Sequence, residues 1–178
     1  MYHSQIKLFW HLLLLEGELV TAFNGVKCIF HTGSARFSEK SCHDPHVFLL
    51  CVSVARQASA EETVRMILDT VIEHIRGVPF VLVGTQIDKR LSMLIENYGC
   101  GQMKYLPMPL NKAEAFAKKI GASKYLECSE ATGEGLDEVF EEAFGVGYNY
   151  ALEQLRGYRR KLSEAQMARD RKPSCITQ

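Results

Sequence analysis

Apolar runs and helical spacing divide the middle of the chain into strands and a helix. Residues 47–54 and 78–83 are continuous β-branched and apolar runs, the pattern of strands covered on both faces in a parallel sheet. Between them, apolar residues recur at i, i+3, i+4 and i+7, and Ser59 with Glu62 forms a capping box, so this segment predicts a helix. Its apolar face comprises Val64, Ile67, Leu68, Val71, Ile72 and Ile75. The order predicts a right-handed β-α-β unit.

The pattern continues with helices and a strand towards the C-terminus. A helix is predicted over 112–120, with Asn111 as N-cap and Gly121 as its stop, and a strand over 124–128. A further helix is predicted to begin near Gly135, to be interrupted at 145–147, and to resume over 148–155. Strands that alternate with helices indicate an α/β doubly wound sheet.

Two features stand out in the first 40 residues. Residues 18–23 and 26–30 flank Asn24-Gly25, a strong hairpin signal, so we expect an antiparallel edge there. Residues 6–15 form the most apolar run. Ten residues are too few to cross a bilayer, which needs about 20, so a buried strand or helix is expected. A signal anchor is the alternative, disfavoured by Lys7 and His11.

Composition indicates one globular domain with a tail. Lys+Arg and Asp+Glu both number 21, which gives no nucleic-acid-binding signature, and 47% of residues are apolar, enough for a sizeable core. The six cysteines have no CxxC spacing, and no cleavable signal region precedes them. We therefore expect neither disulfides nor a zinc site, and we expect the protein to reside in a reducing compartment. The domain is predicted over 1–155 and a basic tail over 156–178.

Three short segments in order carry a family resemblance. Residues 47–54 read Val-Phe-Leu-Leu-Cys-Val-Ser-Val, residues 78–88 read Val-Pro-Phe-Val-Leu-Val-Gly-Thr-Gln-Ile-Asp, and residues 124–129 read Lys-Tyr-Leu-Glu-Cys-Ser. With the Gly-Leu-Asp-Glu-Val-Phe that follows, residues 47–144 resemble the small GTPases of the Rho family. The segment 89–126 is long for a small GTPase, which resembles the presence of the extra helical insert that marks the Rho branch. The resemblance implies a partial P-loop NTPase-type G-domain, with a mostly parallel sheet, an antiparallel edge hairpin and helices on both faces.

By this resemblance, five residues form a guanine pocket. Asp88 would accept hydrogen bonds from N1 and N2 of guanine, which adenine does not offer. Thr85 and Gln86 would support the loop and cover the base, and Ser129 with the N–H near Glu130 would approach O6. Glu130 replaces the family's Ala and puts a carboxylate near an acceptor oxygen. The implied cofactors are GTP or GDP with Mg²⁺.

The phosphate half of such a site has no counterpart in these residues. No GxxxxGK[ST] motif occurs, and no threonine matches the family's first switch. His31 and Ser34 stand where the family has the Asp of the magnesium shell and the Gly that senses the γ-phosphate, and Ala35 replaces the catalytic Gln. The sequence therefore offers no catalytic or metal-ligating set. Cys51 and Cys128 are expected to be buried packing residues, and His31 a tolerated hairpin residue.

The last four residues suggest a lipid anchor. Cys175-Ile-Thr-Gln resembles a prenylation box whose terminal Gln favours farnesyl, although Thr177 is unusual there. The preceding tail is rich in Arg and Lys, which favours an anionic membrane surface. A merely solvated helix end is the alternative. We expect a cytoplasmic protein, peripheral at the cytoplasmic face of a plasma membrane or endomembrane.

Three interpretations remain open from the sequence. One is a Rho-type signalling GTPase with effector and regulator partners of cytoskeletal and trafficking pathways. Another is a non-hydrolysing pseudo-GTPase that acts as a membrane-tethered interaction module, which the missing phosphate loop favours. The third is an incomplete or mispredicted reading frame of an ordinary family member, in which residues 1–18 are not the true start. Whether the chain is an enzyme stays open, because the family's activity is GTP hydrolysis.

Overall fold

The computed structural model describes residues 3–10, 17–23, 25–33, 45–55, 77–90 and 107–170, with single residues at 62, 65 and 92. Six strands and two helices are described in full within these residues. The strands are β1 (His3–Trp10), β2 (Gly17–Phe23), β3 (Val26–Gly33), β4 (Val47–Ser53), β5 (Phe80–Thr85) and β6 (Lys124–Glu127). The helices are α1 (Leu110–Lys119) and α2 (Leu136–Asp170).

The strands form one mostly parallel sheet with an antiparallel edge. Their order is β2-β3-β1-β4-β5-β6, and β2 pairs antiparallel with β3 at the edge of the sheet. All other pairs are parallel. The predicted hairpin is confirmed, with Phe23 opposite Val26 and Gly25 at a positive φ of 74°. The predicted α/β partial G-domain is the observed fold.

The apolar N-terminal run contributes a strand inside the sheet. β1 lies between β3 and β4, and Ile6 is in register with Phe30 on one side and with Val47 on the other. The strand form of the prediction for 6–15 is therefore confirmed as far as Trp10, and residues 11–16 lie outside the described part. Among the described residues, no helix is both long and apolar enough to cross a membrane.

The core has two halves, one on each face of β4 and β5. Because side chains alternate across a strand, Phe48, Leu50 and Leu82 face one side and Leu49 and Val81 face the other. The first side packs on α1 and the second on α2. Each of these apolar side chains is fully buried, which stabilises the fold by about 1.5–3 kcal/mol apiece.

The start of α1 differs from the prediction, whereas its end agrees with it. Pro109, in an extended conformation, is the N-cap, and Asn111 lies inside the first turn, so the predicted cap is wrong. Proline's fixed φ and missing N–H suit a position where no hydrogen-bond acceptor exists. At the other end the predicted stop is confirmed, because Gly121 has a φ of +80°.

The predicted interruption of the last helix is wrong. α2 runs without a break for 35 residues through Gly145 and Gly147. Val139, Ala143 and Phe144 are buried against the sheet, and this packing outweighs the loss of about 1 kcal/mol that each glycine brings to a helix. Gly147 has a packing reason, since a Cβ there would lie 2.9 Å from Cγ1 of Val47.

The helix predicted between β4 and β5 lies almost entirely outside the described residues. Of that segment the structure describes Glu62 and Arg65, and both are helical. Its proposed capping residue Ser59 and its apolar face are not among them.

Two cysteine thiols lie in the core, as predicted. Cys51 is 5% exposed and Cys128 is 4% exposed, and both are free. Burial, followed by the negative charges of the Cys128 thiolate and Glu130, raises the pKa of Cys51 to about 12. Burial and the charges of Glu130 and Glu127 raise the pKa of Cys128 to about 11.

Gly145 and Gly147 give a matched test of the packing of α2 on β4. Gly145→Ala meets nothing within 4 Å and should stabilise the protein by about 0.5–1 kcal/mol through helix propensity. Gly147→Ala should destabilise it by about 1–3 kcal/mol, because the new methyl collides with the buried Val47. Urea denaturation followed by circular dichroism measures both. Equal stabilisation by the two substitutions would contradict the close approach of α2 to β4.

The buried thiols predict a loss of stability in alkali. An unfolded thiol has a pKa near 9.0, whereas the native pKa of Cys51 is about 12, so above pH 9 the native state retains a proton that the unfolded state loses. Stability is therefore complete below pH 9 and falls as pH rises, by about 1.4 kcal/mol per pH unit for one such thiol. Urea denaturation between pH 8 and 10.5, in reductant, should show a shallower decline for Cys51→Ala. An unchanged slope would contradict the assignment.

Candidate functional site

The candidate site begins where β5 ends. Thr85 is buried, and its carbonyl accepts a hydrogen bond from the N–H of Val54 at 3.0 Å. The next residue, Gln86, has a φ of 63°, in the left-handed region that non-glycine residues rarely adopt. This conformation costs about 1–2 kcal/mol. The chain reverses sharply here, so that Asp88 lies just beyond the sheet edge in a turn closed by the N–H of Lys89 and the carbonyl of Gln86, 3.1 Å apart.

Ser53, at the end of the neighbouring strand β4, holds this turn in place. Its hydroxyl donates to Oε1 of Gln86 at 2.7 Å and accepts from the N–H of Ala55 at 3.3 Å. Sequence analysis did not identify Ser53 as a site residue. The usable signal was its position, because ligand sites of parallel sheets form at the carboxyl ends of adjacent strands.

Asp88 and Ser129 meet across two adjacent strand ends. The Ser129 hydroxyl donates to Oδ1 of Asp88 at 2.5 Å, and it accepts from the N–H groups of Ala131 and Thr132 at 3.2 and 3.3 Å. Ser129 is fully buried, whereas Asp88 is half-buried. Within the described part of the chain, Oδ2 of Asp88 has no hydrogen-bond partner. The serine thus holds a carboxylate whose second oxygen has no protein partner among the described residues.

The loop after β6 forms the second part of the candidate site, next to the turn that carries Asp88. Ser129 N–H donates to the carbonyl of Glu134 at 2.9 Å, which folds the loop back on itself. Gly135 has a positive φ of 72°, and a side chain there would collide with the carbonyl of Glu127, so the close return requires glycine. Glu130 is exposed at the loop tip, and its N–H has no acceptor among the residues that the structure describes.

A half-buried ion pair links the loop after β5 to the last residue of β6. Arg90 makes a bidentate salt bridge to Glu127, and its Nε donates to the carbonyl of Met108 at 3.1 Å. The Tyr125 hydroxyl donates to the same carboxylate at 2.6 Å. The hydrogen bonds to Glu127 raise the pKa of Arg90, and burial raises the pKa of Tyr125. Sequence analysis did not predict this brace, which joins residues 37 positions apart.

The five residues predicted for the pocket therefore have distinct positions. Thr85 is buried below the turn, Gln86 forms the turn, and Asp88 contacts Ser129 directly. Glu130 lies on the loop that begins at Ser129, with its side chain in solvent. Together they offer one carboxylate oxygen and one backbone N–H without a hydrogen-bond partner among the described residues, a set suited to a planar ligand that carries both donors and an acceptor.

The described residues do not fit a triphosphate with Mg²⁺. A phosphate loop is a glycine-rich turn that follows a strand and opens a helix. β1 ends at Trp10 and β2 begins at Gly17, so six residues connect them, too few for such a turn and helix. Among the described residues, no group of three or more His, Cys, Asp or Glu side chains is placed to hold a metal ion.

A comparison with known protein families identifies the domain. Residues 33–146 match the model of the Ras family, a span that runs from the end of β3 into α2 and contains all five predicted pocket residues. Members of this family are small GTPases, which in general bind GTP or GDP with Mg²⁺. The match covers more than half of the chain and agrees with the observed α/β fold. The chain belongs to the Ras family.

Proposed function

We propose that this protein is a Rho-type member of the Ras family that recognises the guanine base weakly and acts as a non-hydrolysing interaction module. The observation that carries the proposal is the half-buried Asp88 carboxylate, which accepts a hydrogen bond from Ser129 next to the paired ends of β5 and β6. A carboxylate in that position accepts from both N1–H and N2–H of guanine, and adenine offers no matching pair of donors.

Energetics favour weak binding. A hydrogen bond to a charged group contributes about 1.5–3 kcal/mol. Association costs about 4–15 kcal/mol in lost translational and rotational freedom. Two such bonds and some stacking therefore leave a dissociation constant of roughly millimolar or weaker. By the family resemblance, Glu130 would reduce affinity further, since a carboxylate replaces the family's Ala next to the backbone N–H that would approach guanine O6.

The absence of hydrolysis follows from what phosphoryl transfer requires. Catalysis of that reaction is nearly all phosphate positioning and Mg²⁺ electrostatics. Neither the described residues nor the sequence supplies a phosphate loop, and His31, Ser34 and Ala35 replace the family's residues for magnesium, γ-phosphate and water. We therefore propose that the fold serves partners rather than turnover. Those partners are effectors and regulators of Rho-type cytoskeletal and trafficking pathways.

The Rho assignment within the family rests on the short sequence segments at β4, β5 and β6 that resemble Rho proteins, and on the long segment between β5 and β6. That segment includes α1, which packs on the core through Ala113 and Ala117 and leaves Lys112, Glu114 and Lys118 exposed. The charged outer face of α1 is a suitable partner surface.

A change of base preference tests the guanine pocket. Asp88→Asn exchanges one acceptor for a donor, so it should lose guanosine and favour xanthosine, which carries a carbonyl at C2. The amide still accepts from Ser129 through Oδ1, so the loop should keep its conformation. Binding is measured by NMR titration of the two nucleosides, and we expect a change of about tenfold in their relative affinity.

Glu130→Gln is the matched control for that experiment. It also removes a carboxylate from the rim, but it should keep the preference for guanosine and strengthen it slightly. An identical response of the two variants, or no nucleoside binding by the wild-type chain at millimolar concentration, would contradict the pocket.

For the C-terminus we propose a membrane tether. Residues 1–155 are the domain and 156–178 the tail, in which Cys175 accepts a prenyl group and the basic residues meet the anionic cytoplasmic leaflet. One lipid chain alone anchors marginally, and a basic segment adds about 1 kcal/mol per Lys or Arg near the surface. The protein would thus be peripheral at a plasma membrane or endomembrane.

The tether has a direct cellular test. Cys175→Ser should move the protein from the membrane fraction to the soluble fraction, because the thiol is the only group that accepts the prenyl chain in this box. Cys100→Ser is the control and should leave fractionation unchanged. Equal membrane association of wild-type and Cys175→Ser proteins would contradict lipidation at this site.

A further inference from the structure

The second half of α2 extends beyond the core. Gly147 is the last buried residue of the described part of the helix, and every residue from Tyr158 to Arg169 is exposed. Residues 148–169, here called the α2 arm, are about 33 Å long at 1.5 Å per residue. Most helical stability in proteins comes from packing of one side of the helix, so a surface that contacts the arm would stabilise it.

One side of the arm is apolar and continues the core-facing side of α2. Phe144 stacks on Phe23 with ring centroids 5.4 Å apart, and the same helical side continues at alternating steps of four and three residues. These positions, here called the apolar stripe, are Tyr148, Ala151, Leu155, Tyr158, Leu162 and Ala165. Tyr158 is 62% exposed and Leu162 is 53% exposed, whereas Tyr148, Ala151 and Leu155 are half-buried, so the stripe lies in solvent from Tyr158 onward.

Two cations border the apolar stripe, and both acids of the arm lie away from it. At 100° per residue, Arg159 lies along one border and Lys161 along the other. Glu153 and Glu164 fall towards the opposite side, together with Arg156 and Arg160. The arm carries five cations and two acids in a chain of zero net charge. Its cations form no ion pair with any acid whose side chain the structure describes.

We propose that the α2 arm lies in the plane of an anionic lipid bilayer, with the apolar stripe inserted at the level of the headgroups. Tyrosine and leucine on one side, bordered by Arg and Lys, are the composition of helices that lie in a membrane interface. This contact deepens the proposed membrane tether, but it does not require lipid on Cys175. The five residue-to-residue steps from Asp170 to Cys175 span at most about 17 Å, so a prenyl group there would hold the arm against the same leaflet.

The charges beside the apolar stripe disfavour a second copy of the chain as the partner that covers it. Two α2 arms paired through the apolar stripe would place Arg159 and Lys161 of each copy beside the seam, where no acid faces them. Stable helical pairing needs opposite charges at those border positions. The seam would also contain Arg169 and the small Ala165 in place of large apolar residues. An anionic lipid surface satisfies every one of these cations.

Depth-sensitive fluorescence tests the orientation of the arm. The full chain without lipid is mixed with vesicles of phosphatidylcholine containing 30% phosphatidylserine and brominated acyl chains. Tyr158→Trp places a reporter on the apolar stripe, and Met167→Trp places a matched reporter, 61% exposed in the parent chain, on the far side. We expect a blue shift and bromine quenching for Tyr158→Trp and neither for Met167→Trp beyond the signal of Trp10. Equal quenching of the two reporters would overturn the orientation.

Co-sedimentation with the same vesicles tests the affinity. Tyr158→Ser with Leu162→Ser should weaken partitioning at least about tenfold, because two apolar side chains no longer insert. Met167→Ser should change it less than about twofold. Helicity by circular dichroism should stay the same in both, since all three side chains are exposed. Equal losses, or binding that depends on the charge of the lipid alone, would overturn insertion of the apolar stripe.

Two further outcomes separate this inference from the tether. If the unlipidated chain does not bind anionic vesicles but a farnesylated chain does, the α2 arm proposal fails and the lipid anchor stands. If sedimentation velocity shows a dimer that Leu162→Ser dissociates, the apolar stripe belongs to a second copy and the membrane proposal is overturned.

Discussion

Parallel pairing of β4, β5 and β6 is the constraint on which the candidate site depends. Because the three strands run in the same direction, their carboxyl ends lie at one edge of the sheet. Ser53 is the last residue of β4, Gln86 directly follows β5, and Ser129 lies two residues beyond β6. The hydrogen bonds Ser53–Gln86 and Ser129–Asp88 join residues that are 33 and 41 positions apart in sequence. A shift of register by one residue would turn the apolar side chains of β4 and β5 out of the core and separate the polar groups at the edge.

The turn at Gln86 is strained, and its surroundings hold it. The left-handed conformation costs about 1–2 kcal/mol. Two hydrogen bonds offset this cost: the Ser53 hydroxyl donates to the Gln86 side chain, and the Val54 N–H donates to the carbonyl of Thr85. Below the turn, Arg90 is joined to Glu127, so the loop after β5 cannot move without the strand β6. The Asp88 carboxylate is therefore held in position before any ligand arrives.

Local signals made the strands and the hairpin predictable. The apolar runs of β4 and β5 and the Asn24-Gly25 turn are determined within a few residues, and the structure confirms them. The continuity of α2 was not predictable in this way, because the effect of Gly147 depends on its contact with Val47, a residue 100 positions earlier. Likewise the pairing of Asp88 with Ser129 could be expected only through family resemblance, and the roles of Ser53 and Arg90 are visible only once distant strands are paired.

The proposed function separates recognition of a base from binding of its phosphates. In that proposal Asp88 and the loop at Glu130 would contact guanine, whereas six residues connect β1 to β2 where a phosphate loop and helix would need many more. Calorimetric titration with guanosine and with GDP plus Mg²⁺ compares the two contributions in one protein. If only the base is recognised, the two dissociation constants should agree within roughly threefold, both near millimolar. Binding of GDP several orders of magnitude tighter than guanosine would contradict the account, because a phosphate site would then exist.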